Sequence, residues 1–165
     1  MGKDSKQDDP EYKARSVALR LLARREHSRQ ELSLKLRQRQ LEQTVIDLVL
    51  DEYESEGWLD DHRFADVYSR QRMDAGYGPV RIMAELQQRG VYFRPECLAD
   101  RTDADWSRAA AELREKRFGL DSLRDDLTEK LRQARFLARR GFSSAQVEKA
   151  LQIDSSEQLW TGEEF

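Results

Sequence analysis

The sequence predicts an all-α fold, and three observations carry that prediction. Apolar residues recur at spacings of three and four along most of the 165-residue chain. No window sustains the strict alternation of a half-buried strand. A Leu-x-x-Arg-x-apolar signature also returns at a nearly fixed interval: Leu36-Arg39-Leu41, then Leu86-Arg89-Val91, then Leu137-Arg140-Phe142. A period of about fifty residues is too long for tetratricopeptide or ankyrin units and suits tandem three-helix units, each burying a small core.

The elements follow in order. Ala14, Val17, Ala18, Leu21 and Leu22 form the apolar stripe of a first helix. Ser28-Arg29-Gln30-Glu31 reads as a capping box and opens a second helix, about Arg29–Gln40, with Leu32 and Leu36 inward. Thr44 is the expected cap of a third, whose face is Val45, Ile46, Val49, Leu50 and Tyr53, ending at Gly57. Asp60 or Asp61 caps the next, carrying Phe64, Val67, Tyr68 and Met73. Gly76-Tyr77-Gly78-Pro79 is a turn that places Pro at a first helical position, and the helix it opens runs through Ile82 and Leu86 to Gly90. A weaker element at Glu96–Ala99 follows Pro95. Trp106–Phe118 should bury Trp106, Ala109, Ala110 and Leu113. Leu123–Arg140 ends at Gly141, and Ser143-Ser144-Ala145-Gln146 opens a last helix with Val147, Ala150 and Leu151.

These elements predict a disordered segment over 1–12, repeats over 13–59, 60–104 and 105–153, and a polar tail over 154–165. Val17 and Val67 also lie fifty residues apart, as do Leu32 and Ile82. The third copy departs at Gln133, where the others have an aliphatic residue, and Phe118–Asp126 reads as an insertion. The middle helices of the first two copies carry polar stripes at four-residue spacing, Glu31-Lys35-Arg39 and Arg81-Glu85-Arg89, which support a solvated ion-paired face.

The formal net charge of −3 conceals segregation. Residues 13–40 sum to +7 and 41–67 to −8; the following blocks, 68–94, 95–107, 108–140 and 141–165, sum to +3, −3, +4 and −4. Complementary helices neutralising one another would produce this alternation, and so would basic helices that face one way toward a polyanion or an acidic partner surface; composition leaves both open. Net acidity argues against a protein that simply coats DNA, since phosphate binding would have to come from one local face.

Several functions are excluded or disfavoured. No apolar run is long enough to span a membrane, and Met1–Pro10 has no apolar stretch of a signal peptide, so a cytoplasmic location is expected. Cys97 is the single cysteine, which rules out an intrachain disulfide and a multi-thiolate metal site. His27 and His62 sit beside cap positions rather than on a shared helical face, and Asp60-Asp61-His62 is better explained as capping than as a metal pair. The Gly76–Pro79 turn lacks the Lys-Ser/Thr ending of a phosphate loop. Trp58 and Trp106 are expected to be packing anchors, while Trp160 lies in the polar tail. No catalytic constellation is present, and no cofactor is expected.

Three blocks then suggest a family. Arg25-Glu26-His27-Ser28-Arg29-Gln30-Glu31-Leu32 with Lys35-Leu36, Gly57-Trp58-Leu59-Asp60-Asp61-His62-Arg63-Phe64-Ala65, and Gly76-Tyr77-Gly78-Pro79-Val80-Arg81-Ile82 with Glu85-Leu86 and Arg89-Gly90 closely resemble the RecX regulatory proteins of bacteria. The similarity covers about Val17 to Leu151, with Asp74-Ala75 and Gln133 as departures. The resemblance implies an elongated array of three three-helix repeats. It also implies a non-catalytic regulator, expected to be a monomer, that docks in the groove of the RecA filament on single-stranded DNA. There it would restrain filament growth, ATP hydrolysis, strand exchange and repressor cleavage in DNA repair and recombination; some members of the family also bind DNA. The densest basic patch, Arg24, Arg25, Arg29, Lys35 and Arg39, is the first candidate for an acidic partner surface or phosphate. Arg81, Arg89, Arg132 and Arg140 are the repeat equivalents that would extend it. The competing readings are a small helical DNA-binding regulator acting on DNA directly and an inert helical scaffold.

Overall fold

A computed structural model describes residues 9–161, and among them every regular element is a helix. In chain order these are α1 (Pro10–Arg24), α2 (Arg29–Gln38), α3 (Gln43–Ser55), α4 (Asp61–Asp74), α5 (Pro79–Gln88), α6 (Glu96–Ala99), α7 (Asp103–Phe118), α8 (Leu127–Arg140), α9 (Ser144–Gln152) and α10 (Ser156–Thr161). The expected disordered segment 1–12 is cut short: Asp9 accepts from the Glu11 amide and Pro10 opens the helix, while residues 1–8 lie outside the described residues. In the tail, Ser156–Thr161 is helical.

The chain forms two compact units. The first holds the chain up to Val67 together with Leu86–Phe93. Its core is the i, i+3, i+4 stripes of α1, α2 and α3: Ala14, Val17 and Ala18 against Leu32 and Leu36 and against Ile46, Val49, Leu50 and Tyr53. Burying side chains of this size contributes about 1.5–3 kcal/mol each for the larger ones. The second unit holds Tyr68–Glu85 and everything from Arg94 onward, and there α7 packs chiefly on α9.

Each middle helix ends the same way. Leu41, Val91 and Phe142 donate their amides to the carbonyls of Leu36, Leu86 and Leu137, and Gln40, Gly90 and Gly141 donate to Arg37, Gln87 and Ala138. This is the paired 6→1 and 5→2 closure of a Schellman motif, which requires a left-handed residue at its centre. Gly90 and Gly141 supply φ of 82° and 100°, and in the first copy Gln40 adopts 65° without glycine's freedom. The repeat read from sequence is therefore a repeat of backbone hydrogen bonds.

Several local expectations need correction. Helix α2 stops at Gln38 because the motif starts there. Ser28 accepts from the Glu31 amide, but Glu31 does not reach back; its carboxylate goes to Arg25 instead. Thr44 is not a cap: α3 starts at Gln43 after Glu42, with no side-chain cap bond. Between the two aspartates, Asp60 caps α4 by accepting from the His62 and Arg63 amides, whereas Asp61 accepts from the Arg29 amide at the start of α2. On α4 Val67 is exposed, while Phe64 and Ala65 are buried. Helix α7 begins three residues earlier than expected, in a Thr102–Asp105 capping box, and buries Ala111 and Arg114 where Ala109 and Leu113 are only half-buried. Helix α8 begins at Leu127 under an Asp126 cap. Trp106 is buried as an anchor, but Trp58 is about half exposed, with its ring tilted against Tyr53 at 5.2 Å.

The two departures of the third copy share one cause. Arg114 is fully buried, and its Nε donates to Gln133 Oε1 at 2.7 Å. Its remaining N–H groups take the carbonyls of Ala150 and Ile153 at the end of α9 and of Asp121 in the insertion. Gln133 is polar because it stands opposite an arginine, and the arginine anchors the inserted loop. Burial lowers the Arg114 pKa, opposed by Asp121 and Asp154.

Candidate functional site

Two junctions position the charged side chains, one within each unit, and they share a design. In the first unit the start of α2 meets the end of α5: Ser28 Oγ donates to the Arg89 carbonyl at 2.7 Å and Gln30 Nε2 to the Gln88 carbonyl at 3.0 Å. In the second the start of α5 meets the end of α8: the Gly78 and Val80 amides donate to the carbonyls of Arg140 and Gly141 at 2.8 and 2.9 Å. The two donors straddle Pro79, which has no N–H to offer. Donors at one helix start, side chains in the first junction and backbone amides in the second, thus satisfy orphan carbonyls of another helix end. Contact is close enough to demand glycine: a Cβ on Gly78 would fall 2.5 Å from Gly141 backbone atoms, and one on Gly90 would fall 2.5 Å from Gln30 Oε1.

Around the second junction the structure gathers an arginine–tyrosine cluster. The guanidinium carbons of Arg72, Arg81 and Arg140 lie 3.8, 4.5 and 4.8 Å from the centre of the Tyr77 ring, all within cation–π range. Arg140 also lies 5.4 Å from Phe136, which meets Phe118 edge-on at 5.2 Å. Arg117 covers Phe136 and Arg132 covers Phe118. Glu85 is the carboxylate at the centre. It accepts from Tyr68 at 2.6 Å, from Arg72 in bidentate fashion at 2.8 and 2.7 Å, and from Arg81 at 3.1 Å. Burial would raise the Glu85 carboxyl, but the bonds from Arg72, Tyr68 and Arg81 outweigh it and hold it below its ordinary value. One anion among Arg72, Arg81 and Arg140 leaves a local excess of positive charge.

The basic residues of the first unit are distributed differently. Arg29 faces α3 and pairs with Asp51 at 2.7 Å, Glu54 at 3.1 Å and Asp47 at 3.5 Å. Its burial lowers the pKa, yet the hydrogen bonds to Asp51 and Glu54 raise it overall. Arg25 pairs with Glu31 at 2.7 Å, and Arg89 approaches the same carboxylate at 3.9 Å. Lys35 donates from Nζ to His27 Nε2 at 3.3 Å. Arg24 and Arg39 are exposed, and the Arg39 carbonyl is taken by Lys13. Arg132 pairs with Glu129 at 3.2 Å on the surface of α8. Arg81 and Arg140 are therefore brought together, Arg25 and Arg89 share Glu31, and Arg29 is committed to its own repeat. Sequence reasoning missed Arg72, Tyr68 and Tyr77; the available signal was an aromatic inside a glycine turn, five residues after an arginine.

Comparison with known proteins bears on what such a surface serves. Residues 14–52 match the description "RecX, first three-helix domain", residues 60–91 the second and residues 103–151 the third. Over 138 residues the chain is 49% identical to the Regulatory protein RecX of Halorhodospira halophila, covering 82% of this chain and 84% of that one. The chain belongs to the RecX family. Regulatory protein RecX of Stenotrophomonas maltophilia is 39% identical over 83% of this chain and 84% of that relative. The crystal structure of RecX from Lactobacillus salivarius superposes with a TM-score of 0.70 at 24% identity, covering 87% of this chain and 96% of that one, a likeness of fold. The second RecX domain, residues 60–91, contains Tyr77, Arg81, Glu85 and Arg89; the third, residues 103–151, contains Arg132 and Arg140. Among the described residues no helix is long and apolar enough to cross a membrane, and no three His, Cys, Asp or Glu side chains cluster as metal ligands.

Proposed function

We propose that this RecX-family chain is a non-catalytic regulator that binds the RecA filament on single-stranded DNA and restrains its ATPase, strand-exchange and coprotease activities. It acts in the cytoplasm as a monomer. The observation that carries this reading is the order of three RecX domains along a chain 49% identical to a named regulatory protein. The repeated junction supports it physically, because helix ends locked by backbone bonds present Arg81 and Arg140 at fixed positions. Arginines packed on an aromatic ring lose little freedom when they pair with a partner's carboxylates. Arg24, Arg25, Lys35, Arg39, Arg89 and Arg132 are further cations of that contact, while Arg29 acts through the fold.

The test adds purified protein to RecA on single-stranded DNA with ATP and follows ATP hydrolysis and strand exchange. Inhibition at substoichiometric protein is expected; unchanged rates at saturation would overturn the reading. A second reading, direct DNA binding, is favoured by the cations gathered around Tyr77 and Phe136. It predicts duplex binding with a steep salt dependence and no requirement for RecA.

A further inference from the structure

Helices α8 and α9 enclose a groove of about 440 Å³ on the surface of the second unit. Its floor is apolar: Leu131, Ala134 and Ala138 from α8, Val147 and Leu151 from α9. Leu131 is 47% exposed, and Leu127, one turn earlier on the same helix, is 69% exposed. Contiguous apolar surface left in solvent is the kind of surface that partners cover.

The first repeat carries the same face with different residues. At a spacing of 101 residues, Leu131, Ala134 and Ala138 correspond to Gln30, Ser33 and Arg37. All three are polar. Gln43 closes the first-repeat face by donating to Ser33 at 3.3 Å and to Asp47 at 2.9 Å. The corresponding positions in the third repeat, Ser144 and Glu148, stand at the edge of an open groove. A polar, closed face has become apolar and open.

We propose that this groove receives an amphipathic helix of the partner protein, with apolar residues on one face and carboxylates along one flank. The stripe from Leu127 to Ala138 is about 16 Å long, three turns of helix. Ala134 and Ala138, one turn apart, let a second helix approach closely, and Leu131 is the ridge it packs against. Charge sets the flank: exposed Lys130 and Arg135 line the α8 side, with Glu148 on the α9 side. An acidic flank on the incoming helix therefore lies along α8.

This inference rests on the proposed RecA reading and takes the RecA filament as its probe. Leu131→Glu and Ala138→Glu are surface changes and should leave helicity unaltered by circular dichroism. The double variant should need about tenfold or more protein than wild type to inhibit RecA ATPase, because burying a leucine is worth about that factor or more. Leu131→Met should inhibit as wild type does. In a Cys97→Ser background, an environment-sensitive dye at Leu131→Cys should shift to the blue when filament is added. Inhibition by the double variant at wild-type concentrations, or an unshifted dye, would overturn the groove and leave the RecA reading standing. If wild type itself fails to inhibit, both fall. If sedimentation shows a wild-type dimer that Leu131→Glu dissolves, the occupant is a second copy and the partner helix is overturned.

Discussion

The Gly78 amide donates to the Arg140 carbonyl at 2.8 Å, across 62 positions of sequence. Gly78 precedes α5 and Arg140 ends α8, so one bond joins a helix start to a helix end. Ser28 and Arg89 make the corresponding bond in the first unit with a hydroxyl in place of the amide. Different donors thus serve the same place in the repeat. The position is conserved in geometry within the chain though not in residue type.

Glycine substitutions should separate contact from conformation. Gly141→Ala places a Cβ against Arg81 at a φ of 100°, so steric overlap and a left-handed backbone combine. A loss of about 2–4 kcal/mol is expected by urea denaturation. Gly57→Ala, at a φ of 81° with nothing within 4 Å, should lose only about 1–2 kcal/mol. Gln40→Gly should stabilise by up to about 1 kcal/mol, since Gln40 already holds φ 65°.

The buried Arg114–Gln133 pair should behave as a unit. Arg114→Met strands Gln133 Oε1 and three carbonyls, and is expected to cost about 3–5 kcal/mol. Gln133→Leu alone leaves Arg114 Nε unpaired and should cost about 1–3 kcal/mol. The double variant should be more stable than the sum of the single losses implies, and a double-mutant cycle of denaturation midpoints measures the difference.

His27 should make stability depend on pH. It is buried; its Nδ1 lies 3.0 Å from the Arg25 carbonyl, an acceptor, so Nδ1 carries the proton and Nε2 accepts from Lys35. Burial is the first cause that lowers its pKa from the ordinary 6.5; the Arg25 carbonyl opposes it, and the Arg25 and Lys35 charges reinforce it. The unfolded chain therefore binds the proton more readily. Stability is full above pH 6.5 and falls as pH drops through 6.5, levelling once the folded form is protonated as well. Urea midpoints at pH 7.5 and 5.0 should differ more for wild type than for His27→Gln.

Arginine substitutions should divide by what each guanidinium touches. Arg29→Ala removes partners of Asp47, Asp51 and Glu54, and should lower the melting temperature. Arg24→Ala changes an exposed side chain, and should leave the melting temperature unchanged. In RecA ATPase inhibition Arg81→Ala with Arg140→Ala should weaken the effect about tenfold, and Tyr77→Phe should retain it, because the ring face rather than the hydroxyl meets the guanidiniums.

Much of the fold was legible because its signals are local. Periodicity marked the stripes of α1, α2 and α3, and glycine at positions 90 and 141 marked left-handed ends. These depend on residues within a turn or two of one another, where propensity and sterics decide the outcome. The Leu-x-x-Arg-x-apolar period and the three family blocks likewise needed no coordinates. Caps were legible only in part. Asp60 and Asp61 are equivalent in sequence, and Glu31 looks like the second half of a capping box until Arg25 takes it.

The sequence by itself determined an all-helical chain, its three-fold repetition and its family. Tertiary structure decided what each charge meets. Arg29 and Arg81 look alike in a list of basic residues, but one is held by three carboxylates of α3, while the other shares Glu85 with Arg72, donates to the Arg139 carbonyl and is stacked on Tyr77 beside Arg140. Local sequence specifies backbone geometry over a few residues, whereas the partners of a long charged side chain are set by chain segments brought together from as far as sixty residues away.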